Sequence, residues 1–425
     1  MDAGFLRVAH SCRDDDQTGP SNVPFTRHRV GAMKTSLFSR RRFLLTSAIP
    51  IVGAILPTKV RAQAAPKAKV LDTKVISLDA QFYHGWPTLA RRRNGQLLVV
   101  YSGGREAHVC PFGRVDLIVS NDHGQSWSWP RTVLDSDLDD RDAGVLETSN
   151  GTLLVTTFTS LAYEPILQAA QKIGSGSPGA WPAERLARWQ AAYRRLDAAQ
   201  RQSELGQWMM RSRDGGMTWS PRYASIVNSP HGPIELSDGR LLHAGKELWT
   251  IERRVGVCES LDDGATWRWL AQIPTRPGDA APKYHELHAV ESSPGRLLAQ
   301  IRNHNEANDS ETLQTESTDG GKTWSVPHPI GVWGLPSHLL KLRDNCLLMT
   351  YGYRRAPLGN HARISADEGR TWSEPLVISS DGGSSDLGYP STAQLEDGTL
   401  LTVWYEGMKG SPCAVLRQAK WRWEE

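Results

Sequence analysis

Short apolar runs recur along this 425-residue chain, each placed just after a turn signal. RRNGQLLVVY, TSNGTLLVTT, LSDGRLLHAG, SSPGRLLAQI, LRDNCLLMTY and LEDGTLLTVW all read as a tight turn followed by a strand-length apolar stretch. Between them lies a second recurrent element. SNDHGQSW (120–127), SRDGGMTW (212–219), SLDDGATW (260–267), STDGGKTW (317–324) and SADEGRTW (365–372) share the pattern S-x-D-x-G-x-S/T-W. Their serines are 92, 48, 57 and 48 residues apart.

A period near 50 residues marks a propeller or a similar array. Each unit reads as strand A, tight turn, strand B, a connection, strand C, the S-x-D turn and strand D. Six such units predict an all-β chain, a six-bladed β-propeller of four-stranded antiparallel blades over residues 65–425. The final unit lacks an S-x-D turn, so the run from Val70 to Leu78 is expected to supply its outer strand and close the ring. Within each S-x-D turn the aspartate and hydroxyl residues suit the turn backbone, glycine suits φ > 0, and tryptophan suits a packed seam. These aspartates are therefore read as structural.

One interval is longer by nearly a whole unit. Residues 160–206 are rich in Ala, Arg, Gln and Leu, and from Pro182 to Leu205 the apolar Leu186, Trp189, Tyr193 and Leu196 fall at helical spacing. This predicts a helical insertion between strands B and C of the second blade.

Residues 1–64 follow a different pattern. From Met33, a candidate true start, a basic stretch (Arg40, Arg41, Arg42) precedes an apolar run and a small-residue exit at Ala62-Gln63-Ala64. Ser39-Arg40-Arg41-Arg42-Phe43-Leu44 resembles a twin-arginine export motif, so a periplasmic or secreted protein is expected. Pro50 and Gly53 interrupt the run, and no membrane span is expected in the mature chain.

Removing that segment changes the charge balance. Its 10 Lys+Arg and 4 Asp+Glu, subtracted from 49 and 46, leave 39 basic and 42 acidic side chains, a net charge of about −3 rather than +3. That balance does not suggest a nucleic-acid partner. Four cysteines remain (Cys110, Cys258, Cys346, Cys413), without C-x-x-C spacing, and nothing demands a metal or organic cofactor. A monomer is expected.

Strand direction alternates within a blade, so the start of strand A, the end of strand B and the B–C connection share one face. Nine residues before the tight-turn position lie Trp86, Asp142, Glu286, Pro336 and Tyr389, and an offset count in the third blade reaches His231. At the ends of the B strands stand Arg105, Lys246, Arg302 and Arg354. With His84, His285 and His338 they form a candidate polar mouth, and its cations favour a ligand bearing a carboxylate.

The repeats and these positions together resemble the sialidase (neuraminidase) superfamily, six-bladed propellers with Asp-box turns. The resemblance implies a tyrosine nucleophile activated by glutamate, three arginines holding the substrate carboxylate, and an aspartate acid/base. On this chain YHELHAVESSPGRLLAQIRNHN offers Glu286 and Arg302, and DLGYPSTAQLEDGTLLTVWYE offers Tyr389. Arg354 or Arg355 stands near the third arginine. Two elements depart from the family pattern. His84-Gly85-Trp86-Pro87 replaces F/Y-R-I-P, and the loop SGGREAHVCPFGRVD offers Glu106 and His108 instead of the aspartate. Asp116 falls too deep in strand C to replace it. The resemblance thus implies an exported exo-glycoside hydrolase for a terminal sialic or uronic acid on a glycan. Tyr389 and Glu286 would be catalytic, His108 the first candidate for proton donor, and Glu106 and Asp142 the next. A uronic-acid polysaccharide lyase using His and Tyr, and a non-catalytic sugar-binding propeller, are the alternatives.

Overall fold

A computed structural model describes residues 66–79, 81–306 and 310–424; the predicted export segment lies outside them. Six four-stranded antiparallel sheets form six blades. Blade 1 comprises strands Tyr83–Arg91, Leu97–Arg105, Arg114–Ser120 and Arg131–Leu134, and blade 2 comprises Asp139–Glu147, Leu153–Ser160, Gln207–Ser212 and Tyr223–Ala224. Blade 3 comprises Ile234–Glu235, Leu241–Lys246, Val255–Ser260 and Arg268–Gln272. Blade 4 comprises Tyr284–Ser293, Arg296–Asn303, Thr312–Ser317 and His328–Pro329, and blade 5 comprises Ser337–Lys341, Leu347–Tyr353, Gly359–Ser365 and Leu376–Ser379. Blade 6 comprises Leu387–Gln394, Leu400–Gly407, Ala414–Glu424 and, from the other end of the chain, Lys67–Val75.

That N-terminal strand pairs antiparallel with the C-terminal one, from Lys67 opposite Glu424 to Val75 opposite Arg417. The clasp gives blade 6 its outer strand and closes the ring. Inner strands are covered on both faces by neighbouring blades, so they read as continuous apolar runs rather than alternating ones. Leu97, Leu98, Val99, Val100 and Tyr101 are all buried, whereas the outermost strand has exposed Val70, Leu71 and Val75.

The S-x-D turns behave as their composition dictates. In the turn at 317–323 the Asp319 carboxylate accepts the Thr323 amide (2.9 Å) and hydroxyl (2.6 Å), and the Ser317 hydroxyl accepts the Gly321 amide at 2.9 Å. The same pattern recurs at Asp122, Asp214, Asp262 and Asp367. Gly321, at φ 90°, occupies a conformation closed to most side chains. Tryptophans from these turns reach neighbouring blades: Trp127 donates to Gln418 (2.8 Å) and Trp372 to Gln314 (3.0 Å).

The axis is laced by side chains seven residues before the tight turns. His288 Nδ1 accepts the Leu339 amide at 2.9 Å, and Ser391 Oγ accepts the Leu89 amide at 3.0 Å. His231, His288 and His338 cluster there with ring centroids 4.7–5.3 Å apart.

The insertion in blade 2 is helical, with α1 (Tyr163–Lys172), α2 (Ala183–Tyr193) and α3 (Ala198–Ser203). The helical part starts earlier than the spacing from Pro182 suggests. It also breaks before Asp197, which caps α3 through the Gln200 amide. Tyr163, Leu167 and Trp189 pack on Cys110 of the blade 1 connection. No helix among the described residues is long and apolar enough to cross a membrane.

Candidate active site

The inner strands of blades 1, 2, 4 and 6 share a local fault that builds the site. Pairing slips between Gly85 and Thr88, Arg141 and Gly144, His285 and His288, and Gly388 and Ser391. At each slip one non-glycine residue takes positive φ: Trp86 at 51°, Asp142 at 48°, Glu286 at 45° and Tyr389 at 52°. Such a conformation costs about 1–3 kcal/mol per residue and clusters at functional sites. Counting nine residues back from the turns finds all four. In blade 5 the same position is Pro336, whose ring forbids positive φ.

The bulges bring Tyr389 and Glu286 together. The Tyr389 hydroxyl donates a very short hydrogen bond to Glu286 Oε1. Arg302 Nη1 donates to Glu286 Oε2 at 2.7 Å and to Tyr389 Oη at 3.2 Å. Burial alone would raise the Glu286 carboxyl, but the Arg302 charge and these hydrogen bonds pull it below the usual range. Burial and the Glu286 charge push the Tyr389 phenol well above its ordinary value. At rest the proton therefore stays on Tyr389, and Glu286 is an ionised acceptor beside it.

Asp142 faces the same pocket. Its residue is buried, and no hydrogen bond among the described residues reaches its carboxyl. Burial and the nearby Glu286 charge raise it, favouring the protonated form. Lys246 donates to the Pro282 carbonyl at 2.5 Å, and burial pulls its ammonium down to about 8. His285 stands edge-on to His304 at 5.1 Å, near Lys246 and Glu286, and burial lowers it to about 3. Arg354 sits at the rim, its Nε bonded to the Leu387 carbonyl at 3.0 Å.

Four expected mouth residues are placed elsewhere. Arg105 is fully buried, gripping Asp139 through both terminal nitrogens (2.5 and 3.1 Å), so it braces the wall instead of holding a ligand. His84 points away from the axis, bonded to Ser77 Oγ at 2.8 Å and packed on Tyr101. His231 and His338 lie inside the channel in the histidine cluster, where burial keeps both neutral. Glu106 is also displaced: Arg188 (2.7 and 3.0 Å) and the Trp189 indole (3.0 Å) tie it to α2.

His108 does reach the mouth. Its Nδ1 lies 3.0 Å from Asp386 Oδ1 and 2.9 Å from the Tyr83 hydroxyl, and its ring meets Trp86 edge-on at 4.9 Å. Loss of hydration against the surrounding walls pulls this half-exposed imidazole down, with Asp386 opposing, and Arg141 and Arg105 adding to the fall. Trp86 carries the guanidinium groups of Arg105 (4.9 Å) and Arg141 (4.7 Å) against its ring.

Sequence reasoning missed Asp386, Tyr83, Tyr405 and Arg141. Asp386 and Tyr405 lie within the stretch DLGYPSTAQLEDGTLLTVWYE that pointed to Tyr389. Arg141 directly precedes Asp142, and Tyr83 precedes the expected His84. Their roles depend on contacts between blades 1, 2 and 6 that no strand count reveals.

Among the described residues no group of three or more His, Cys, Asp or Glu is placed to hold a metal ion. A cavity of about 580 Å³ opens at the opposite mouth, beside Arg93, Glu235, Glu291 and Lys341. Its carboxylates are occupied by turn amides: Glu291 accepts Ser237 N at 2.6 Å, and Glu235 accepts Ser149 N at 2.9 Å. The convergent chemistry is at the bulged mouth.

A six-bladed propeller with a Tyr–Glu–Arg cluster at the A-strand mouth has the architecture of the sialidase superfamily. Residues 176–402 match the family of BNR repeat-like domains, and the chain belongs to that family within the superfamily. It is similar to a sialidase of Bacteroides fragilis, 24% identical over 344 residues that cover 74% of this chain. The chain spans 58% of the length of that curated relative. Among solved structures, a Dyadobacter fermentans protein of unknown function superposes with a TM-score of 0.67 at 22% identity, covering 84% of this chain and 99% of the other. A Streptococcus pneumoniae sialidase superposes with a TM-score of 0.56 at 14% identity, covering 84% and 70%.

Proposed function

We propose that this protein is an exported exo-glycoside hydrolase that removes a terminal anionic sugar, a sialic or a uronic acid, from a glycan. The hydrogen-bonded Tyr389–Glu286 pair with Arg302 on both oxygens carries this reading. Similarity to a sialidase supports the reaction class. A neutral phenol approaches a carboxylate-bearing sugar without the repulsion a carboxylate nucleophile would meet.

As Tyr389 Oη bonds to the anomeric carbon, its proton passes to Glu286, which already accepts it in a hydrogen bond. Arg302 lies close enough to stabilise charge developing on Oη and to meet an incoming carboxylate. Arg354 at the rim is the second cation available to that carboxylate. Asp142, in its protonated form, is a buried hydrogen-bond donor within the electrostatic reach of Glu286.

The lyase alternative drew on a histidine-rich mouth, and the burial of His231 and His338 removes two of its members. Assay of the purified protein on 4-nitrophenyl α-sialoside and β-glucuronide tests the proposal. Turnover of either, lost in Tyr389→Phe, supports it; turnover of neither, or undiminished activity in Tyr389→Phe, refutes it.

A further inference from the structure

Asp386 is the meeting point of three side chains from two blades. Tyr83 Oη lies 3.0 and 2.9 Å from its two carboxylate oxygens, Tyr405 Oη lies 3.0 Å from Oδ1, and His108 Nδ1 lies 3.0 Å from Oδ1. Burial alone would raise this carboxyl, but hydrogen bonds from His108, Tyr83 and Tyr405 hold it below the usual range. It is therefore an ionised, acceptor-only group. Both phenols give their single protons to it, so the His108 hydrogen on this side must sit on Nδ1. The ring atom left to gain or lose a proton is Nε2.

The His108 backbone is fixed as firmly as its ring. Its carbonyl accepts Arg105 Nη2 at 2.8 Å and Arg141 Nη2 at 3.4 Å. Two residues earlier, Glu106 is clamped by α2, and two residues later Cys110 is buried under Tyr163 and Trp189. For all this the His108 side chain remains 44% exposed, whereas Asp386 is 17% exposed. A brace between blades 1 and 6 needs only the tyrosines and Asp386. The imidazole adds a titratable edge open at the mouth, separated from Tyr389 by the Trp86 ring, which touches both at 4.9 and 6.4 Å.

Resting on the hydrolase reading above, we infer that His108 exchanges the proton with the glycosidic oxygen and that Asp386 is its positioning residue. In the first step Tyr389 Oη bonds to the anomeric carbon and its proton goes to Glu286. The bond from that carbon to the glycosidic oxygen breaks, its electron pair stays on oxygen, and Nε2–H of the imidazolium protonates that oxygen. In the second step Nε2 takes a proton from water, whose oxygen bonds to the anomeric carbon. As that bond forms, the bond from the anomeric carbon to Tyr389 Oη breaks, its electron pair stays on Oη, and Glu286 returns the proton to it. Asp142 belongs electrostatically with Glu286 and Tyr389, the nucleophile pair, and burial and the Glu286 charge favour its protonated form.

The groups facing His108 are Asp386, Tyr83, Arg105 and Arg141, and Asp386 is the anion that favours its imidazolium. Asp386→Asn therefore moves the alkaline limb of kcat/KM to lower pH. On methyl glycosides, whose leaving group needs a proton, Asp386→Asn and His108→Gln lose about 10²–10⁴-fold in kcat with little change in KM. On 4-nitrophenyl glycosides the loss is much smaller, and Asp386→Glu recovers part of the methyl glycoside rate. Equal losses on both substrates with an unmoved pH profile would overturn the inference. Imidazole ¹⁵N spectra give an arm independent of turnover. His108 should be the Nδ1–H tautomer when neutral, and its titration should fall in Asp386→Asn. An Nε2–H tautomer, or an unmoved titration, refutes the dyad whatever the substrate. Tyr389→Phe, which loses both substrates, separates failure of the nucleophile from failure of the dyad.

Discussion

Tyr389 of blade 6 donates its phenolic hydrogen to Glu286 of blade 4, and both residues sit at the same bulged position of their strands with φ of 52° and 45°. Glu286→Gln keeps the shape of the acceptor and removes its charge. It should lower kcat by at least about 10³-fold while the melting temperature stays within a few degrees. A variant that keeps more than a tenth of wild-type kcat would exclude Glu286 as the proton acceptor.

Asp319 holds its turn on the face away from the pocket, through Thr323 and Ser317. Asp319→Ala should cost about 1–2 kcal/mol in denaturant unfolding, with kcat and KM unchanged per folded molecule. A selective loss of kcat would give this turn a role in chemistry.

Glu106 ties the His108 connection to the blade 2 insertion through Arg188 and the Trp189 indole. Glu106→Ala leaves the buried indole nitrogen unbonded and should destabilise by about 1–3 kcal/mol. Amide exchange should quicken in 106–113 and 183–193 together. Exchange confined to one of these segments would show that they do not move as a unit.

Buried imidazoles make the fold acid-sensitive. Burial lowers His84 and His361 to about 4 and His243 and His338 to about 3, so the folded chain takes up their protons only there. The unfolded chain binds them near pH 6.5. Stability is then complete above about pH 6.5 and falls as pH drops towards 4, by about 1.4 kcal/mol per pH unit for each such group. Asp116, Asp140 and Asp142, all raised by burial, oppose this trend but are fewer. His243, with neither ring nitrogen bonded among the described residues, is the cleanest probe. His243→Phe should flatten the slope of unfolding free energy between pH 6.5 and 5 by about one proton. An unchanged slope would contradict the neutral assignment.

The propeller was legible because its blades repeat the same local chemistry, and turn residues 48 apart name their own spacing. The same count found Glu286 and Tyr389, since the bulge lies at a fixed distance from each tight turn. It misplaced Arg105 because a strand-end arginine looks alike whether it faces solvent or meets a buried Asp139. It misplaced His84 because the bulge at Trp86 changes which side chain faces the axis. His231 and His338 sit at the correct axis but below the mouth, a depth that sequence distance does not encode. Asp386 escaped notice because its partners come from residues 83, 108 and 405, brought together only by ring closure.

The central claim is that Tyr389 becomes covalently bonded to the sugar. Incubation with a fluorinated glycosyl fluoride of sialic acid or of glucuronic acid, the two proposed sugars, should slow breakdown of the adduct enough for peptide mass spectrometry. One glycosyl group on the peptide containing Tyr389, absent in Tyr389→Phe, is the predicted result. A glycosyl group on Glu286 or Asp142, or single-turnover inversion at the anomeric carbon, would contradict the account.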